Sequence, residues 1–145
     1  MRELDECLRL TREIEKVREK LLIIKAAIQA PKNQIISDMP RGGSNPVNAI
    51  EMYLEKAEQF ENDINALKSE RAENWETFKQ IAAAESDVTK EDIHLMQLRF
   101  IRGYSWNKCT AVMRSRHDKK WNANKTFRRY RKVLSSCTKI NPNIC

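Results

Sequence analysis

Residues 7–28 read CLRLTREIEKVREKLLIIKAAI, and their spacing decides the fold. Leu10, Ile14, Val17, Leu21, Ile24 and Ile28 recur at alternating intervals of four and three, with Cys7 one step earlier. That is a heptad seam. Charged residues fill the other faces, among them Glu13, Lys16, Arg18 and Glu19. The pattern predicts a helix from about residue 2 to residue 29. It ends at Ala30-Pro31, because a residue before proline resists the helical region. Such a helix alone leaves its seam wet and needs a partner.

The partner lies downstream. Apolar residues return at Ile50, Tyr53, Ala57, Phe60, Ile64 and Leu67, and Trp75, Phe78 and Ile81 continue the stripe after Arg71. A second helix is expected over about 46–84, with Asn45 as its cap and Pro46 at its first position. The turn-rich segment 31–45, with Met39-Pro40-Arg41-Gly42-Gly43 at its centre, joins the two. The simplest arrangement is an antiparallel, coiled-coil-like helical hairpin over residues 1–88. Its longer second helix overhangs the first near Trp75 and Phe78, and that overhang is expected to meet the C-terminal part or a second subunit.

Glu85-Ser86-Asp87-Val88 interrupts the periodicity. Beyond it, Thr89 with Asp92 three residues on forms an approximate capping box for a third helix. Gly103 ends that helix, and Ser105 caps a fourth carrying Trp106, Cys109, Val112 and Met113. A basic stretch, Arg114 to Lys120, leads to a last helix from about Trp121 or Asn122 to Leu134. The chain is therefore read as all-α, with a hairpin, a three-helix unit over 89–136 and a tail over 137–145. Three glycines, four prolines and 32% charged residues fit long exposed helices better than a sheet.

Charge is divided along the chain. Residues 1–88 hold 13 Lys and Arg against 17 Asp and Glu, whereas residues 89–145 hold 14 against 3. A basic end on an otherwise acidic chain points to a polyanionic partner. A solvated basic surface is the plain alternative, and the basic segment lacks the broad free apolar face that lipid binding requires. No apolar run approaches the roughly 20 residues of a membrane span. The charged start, Met1-Arg2-Glu3-Leu4-Asp5-Glu6, has no signal-peptide character, so a cytoplasmic location is expected. Cys7, Cys109, Cys137 and Cys145 form no Cys-x-x-Cys pair and are not spaced with His94 and His117 as a zinc motif would be. They are read as reduced thiols, with no metal or cofactor expected. No glycine-rich phosphate loop, paired acid–base carboxylates or nucleophile–His arrangement supports an enzyme.

The last three helices have helix-turn-helix proportions. On a helical wheel, Ala123, Phe127, Tyr130 and Leu134 share one face and are expected to be core. Lys125, Arg128, Arg129 and Lys132 fall opposite and are expected to be free for DNA. Trp121 also falls outside the core face, and it either stacks on a nucleotide or sugar or folds back if the helix begins later. Arg and Lys there neutralise phosphates or read guanine, and Asn122 and Asn124 suit adenine. One of these two asparagines serves equally well as a helix cap. Arg114, Arg116, Lys119 and Lys120, in the connecting stretch, complete the candidate DNA-binding set. Trp106 is read as a core wedge between helices.

Leu98-Arg99-Phe100-Ile101-Arg102-Gly103-Tyr104-Ser105-Trp106 resembles the start of the helix-turn-helix in region 4 of bacterial sigma factors. Phe127-Arg128-Arg129-Tyr130-Arg131-Lys132-Val133-Leu134 is similar to the end of the sigma recognition helix. Ser37-Asp38-Met39-Pro40-Arg41-Gly42-Gly43, followed by a long helix, resembles small prophage-encoded sigma-region-4-like proteins, related in outline to the ArpU and RinA late-gene regulators. The resemblance implies a phage or prophage transcription regulator that binds duplex DNA and contacts RNA polymerase, and it implies a partner-docking role for the 31–46 loop. Self-association through the hairpin is a further expectation. The chain departs from the sigma pattern between Met113 and Phe127, where thirteen residues intervene and Arg114-Ser115-Arg116-His117-Asp118-Lys119-Lys120 stands in place of the usual tight glycine turn. Either a long basic loop or an earlier start of the recognition helix accounts for them. A small terminase-like DNA-packaging subunit and a helical scaffold without DNA binding are the other readings.

Overall fold

The computed structural model describes residues 1–29 and 46–138, and these are all-α. Helix α1 is Arg2–Gln29 and α2 is Pro46–Ala83. Helix α3, Lys90–Met96, continues without a break into a π-helical turn, Gln97–Ile101. Helix α4 is Trp106–Arg116 and α5 is Ala123–Cys137. The expected 31–45 loop, the Asn45 cap and the end of the 137–145 tail lie outside the described residues. No helix among the described residues is long and apolar enough to cross a membrane.

Caps set the starts of the shorter helices. Thr89 and Asp92 close a reciprocal box: the Asp92 amide donates to Thr89 Oγ1, and the Thr89 amide donates to Asp92 Oδ2. Ser105 Oγ accepts from the Lys108 amide, and Asn122 Oδ1 accepts from the Lys125 amide. Each cap satisfies one of the amides that a first turn leaves without a partner. Asn122 is thus the capping asparagine, and the last helix begins one residue after it.

Two compact units share the long helices. One is Glu13–Lys68. In it Ile14 and Leu21 of α1 are buried with Ala57 and Ile64 of α2, and Val17, Ile24, Phe60 and Leu67 pack around them. These are the positions the heptad spacing assigned to the seam. Lys25 and Glu61 approach to 3.4 Å across it, both half exposed, so the apolar contacts dominate the stability of this unit.

The other unit joins Met1–Arg12 to Ser69–Cys145. Its core takes Leu4 and Cys7 from α1, Phe78 and Ala82 from α2, Leu95 and Met96 from α3, Leu98 and Phe100 from the π turn, Cys109 and Met113 from α4, and Trp121 and Val133. The ends of both long helices therefore belong to the same core as α3, α4 and α5. Packing divides the chain elsewhere than the periodicity break before Thr89. That break turns the backbone but does not separate two cores, because the overhang carrying Phe78 is buried among the C-terminal helices.

The π turn has a packing role. Its wider winding, with the Arg102 amide donating to the Gln97 carbonyl at 3.0 Å, leaves carbonyls for other donors. Thr11 Oγ1 donates to the Phe100 carbonyl at 2.8 Å, and Arg71 Nη1 donates to the Ile101 carbonyl at 3.1 Å. Gly103 then takes φ 71°, and the Tyr104 amide donates back to the Leu98 carbonyl. This left-handed position is the helix end expected there, and a side chain would penalise it.

Candidate nucleic-acid interface

The basic stretch between α4 and α5 is a built turn. His117 and Asp118 amides both donate to the Met113 carbonyl, closing α4. Asp118 then organises the turn: its carbonyl accepts from the Trp121 amide, and its Oδ1 accepts from the Lys120 amide. That backbone donor, with Lys125 nearby, holds the Asp118 carboxyl below the usual carboxylate range. Of the two readings of the long connection, the longer turn is observed and the earlier helix start is not. Helix α4 runs on to Arg116 and α5 starts at Ala123, so a six-residue turn remains.

Trp121 anchors this turn and is only 3% exposed. Its Nε1–H donates to Thr126 Oγ1 at 2.8 Å, while Thr126 and Thr110 share a buried hydroxyl–hydroxyl bond of 2.7 Å. Arg114 Nε donates to the Trp121 carbonyl at 2.8 Å. Of the two readings of Trp121, the later helix start is the one observed, because α5 begins at Ala123. Trp121 folds back ahead of α5 and plugs the gap between α4 and α5.

The helical phase of α5 needs a correction. Thr126, Val133 and Ser136 are its buried positions, with Tyr130 and Leu134 partly buried beside them. Phe127, expected in the core, is 43% exposed. It lies beside Trp106, whose ring also meets Phe100 and Tyr130. Trp106 is thus a wedge between helices, with the Arg99 guanidinium over its ring.

Arg129 was expected to be free for DNA; instead its guanidinium faces inward. Nε donates to Asp92 Oδ1 at 2.8 Å, and Nη2 donates to Asp92 Oδ2 and to the Asp87 carbonyl. The hydrogen bond to Asp92 raises the already high pKa of Arg129, so this cation holds its charge. Two other members of the basic set are also engaged. Lys132 pairs with Asp87 at 3.2 Å. Lys125 pairs with Asp118 at 3.5 Å and lies over the Trp121 ring.

The remaining members are available. Arg116, Lys119, Lys120, Asn124 and Arg128 are exposed, and none of these four cations has an ion-pair partner among the described residues. Arg114 is exposed as well but spends Nε on the turn. Arg131, absent from the expected set, is exposed and unpaired in the same sense. Asn124, Phe127, Arg128 and Arg131 recur at intervals of three, one and three, a single outward stripe of α5. The missed signal was the small polar face: Thr126 and Ser136, seven plus three residues apart with Val133 between, mark the inside better than the aromatics do.

The free thiols Cys7 and Cys109 are buried. Burial pushes both up to about 11. Among the described residues, no cluster of three or more His, Cys, Asp or Glu could hold a metal ion. No family model, curated protein or solved structure matches the chain.

Proposed function

We propose that this protein binds duplex DNA as a regulator of transcription, with α4 and α5 forming a helix-turn-helix and α1 and α2 a supporting helical hairpin. The observation that carries the reading is the outward stripe Asn124-Phe127-Arg128-Arg131, preceded in the chain by a turn with the unpaired Lys119 and Lys120. A helix whose back is pinned by Thr126, Val133 and Arg129 and whose front offers amide, aromatic and guanidinium groups suits a major groove. There Asn pairs with adenine edges, Arg with guanine, and an apolar ring with the thymine methyl group. The turn lysines would meet phosphate and set the register. The sigma-region-4 resemblance adds the phage or prophage setting and an RNA polymerase contact to this proposal; the stripe itself speaks only for DNA.

The test is selection of bound fragments from a host and prophage genome by the purified full-length chain. Enrichment of a shared motif upstream of late genes supports the regulatory reading. Enrichment at a packaging start would replace it with a packaging role. Recovery without a motif would remove sequence-specific reading by α5.

A further inference from the structure

A second cationic site lies on the other side of α4. The cavity is about 410 Å³, within the range of small-ligand pockets. It lies between the α3–π-turn segment and α4, and His94, Arg102, Lys108 and Arg116 all line it. No carboxylate is among its lining residues. At 100° per residue, the α4 positions that meet α5 or its approach (Trp106, Thr110, Arg114) and those that line the cavity (Lys108, Ala111, Ser115) fall on opposite sides of the helix. The site is therefore separate from the outward stripe of α5, and it does not rest on the reading given to that stripe.

The geometry points to a phosphate-binding pocket, recognising a phosphate oxyanion through Arg102, Lys108, Arg116 and the outer nitrogen of His94. Several features fit an oxyanion. Lys108 Nζ lies 4.0 Å from the centre of the Tyr104 ring, and both residues line the cavity. Arg102 and Arg116 are exposed and have no ion-pair partner among the described residues. Ser115 adds a hydroxyl to the lining. His94 Nδ1 sits 2.6 Å from His117 Nε2. If His117 donates in that bond, the proton of neutral His94 resides on Nε2, where it can donate to a ligand. Like charge is concentrated here: burial, and then the charges of His117, Arg116 and Arg102, push the His94 imidazole below its usual range. A bound oxyanion offsets the repulsion from those cations and so raises the His94 midpoint, while the contribution of burial stays in place.

Two sources could deliver the phosphate, a DNA backbone or a small phosphate ester. The experiment follows the ring nitrogens of His94 and His117 in the ¹⁵N-labelled full-length protein during a pyrophosphate titration, with ionic strength held constant by chloride. The expected result is a saturable change at His94, a rise of its titration midpoint, and an affinity for pyrophosphate about tenfold weaker in Arg102→Ala and in Lys108→Ala. Thermal unfolding checks each variant, and Lys108→Ala serves if Arg102→Ala fails to fold. A short duplex that competes with pyrophosphate and reproduces the His94 change assigns the site to backbone phosphate. A duplex that binds without touching His94 assigns it to a small phosphate ester. A linear, unsaturable change, or saturation unaltered in both variants, overturns the pocket.

Discussion

Arg129 on α5 reaches 37 positions back along the chain to Asp92, and the two side chains meet in a fork, Nε on Oδ1 and Nη2 on Oδ2. Asp92 is fully buried and at the same time completes the capping box with Thr89. One carboxylate thus starts α3 and locks α5 against it. Arg129→Ala leaves that carboxylate buried with no cation, so a loss of about 3–5 kcal/mol is expected, toward the lower end because Arg129 itself is partly exposed. Urea denaturation followed by circular dichroism measures it. An unchanged midpoint would mean that the pair contributes nothing to folding.

Trp121 and Thr126 form the other lock on α5. Trp121→Ala should cost about 3–5 kcal/mol as the plug between α4 and α5 is removed. Thr126→Val keeps the volume but leaves Trp121 Nε1 and the Thr110 hydroxyl without their bond, for about 1–3 kcal/mol. Thermal unfolding of both variants is the check. If Thr126→Val were neutral, the buried hydroxyl pair would not matter to stability.

The seam of the first unit is tested at Leu21. Leu21→Ala should cost about 2–5 kcal/mol. Leu21→Asp, placing a carboxylate against Ala57 and Ile64, should abolish the cooperative unfolding of that unit. A Leu21→Asp protein with wild-type helicity and melting would contradict the packing of α1 on α2.

Cys7 and Cys109 should be chemically quiet. The thiolate is the reactive form. With each group raised to about 11 by burial, only about one thiol in a thousand is ionised at pH 8. Iodoacetamide at pH 8 should leave both unmodified in the native protein and label both in denaturant, as read by peptide mass mapping. The native rate should climb roughly tenfold per pH unit up to about pH 10, as long as the fold persists. Rapid native labelling at pH 7 would show that the thiols are not enclosed.

Much of this architecture was legible in the sequence, because the signals were local. The heptad spacing placed Ile14, Leu21 and Ile64 in the seam, and Thr89, Ser105 and Gly103 marked helix ends through their own backbone chemistry. The phase of α5 was not legible. Its inner face is written in Thr126, Ser136 and an arginine, residues that look like surface until their partners Thr110, Asp87 and Asp92 are in place. The wheel followed the aromatics and turned the helix by about one residue. The π turn had no signal of its own, since its reason is the reach of Thr11 and Arg71 to its carbonyls. Of the candidate site, the turn cations and Arg128 were readable from charge. Arg131 and Phe127 needed the corrected phase.

The central claim is that the outward stripe of α5 reads duplex DNA. The most direct measurement is the dissociation constant of the full-length protein for its selected duplex between about 50 and 200 mM salt, compared with Phe127→Ala, Arg128→Ala and Arg131→Ala. All three side chains are exposed, so melting temperatures should stay nearly unchanged. Binding should fall steeply with salt. Each arginine variant should lose about 1–3 kcal/mol with relaxed sequence preference where it reads a base, or lose affinity uniformly with a shallower salt slope where it meets phosphate. Phe127→Ala should weaken binding without changing the salt slope. Full affinity in all three variants, with the wild-type salt slope, would contradict the account.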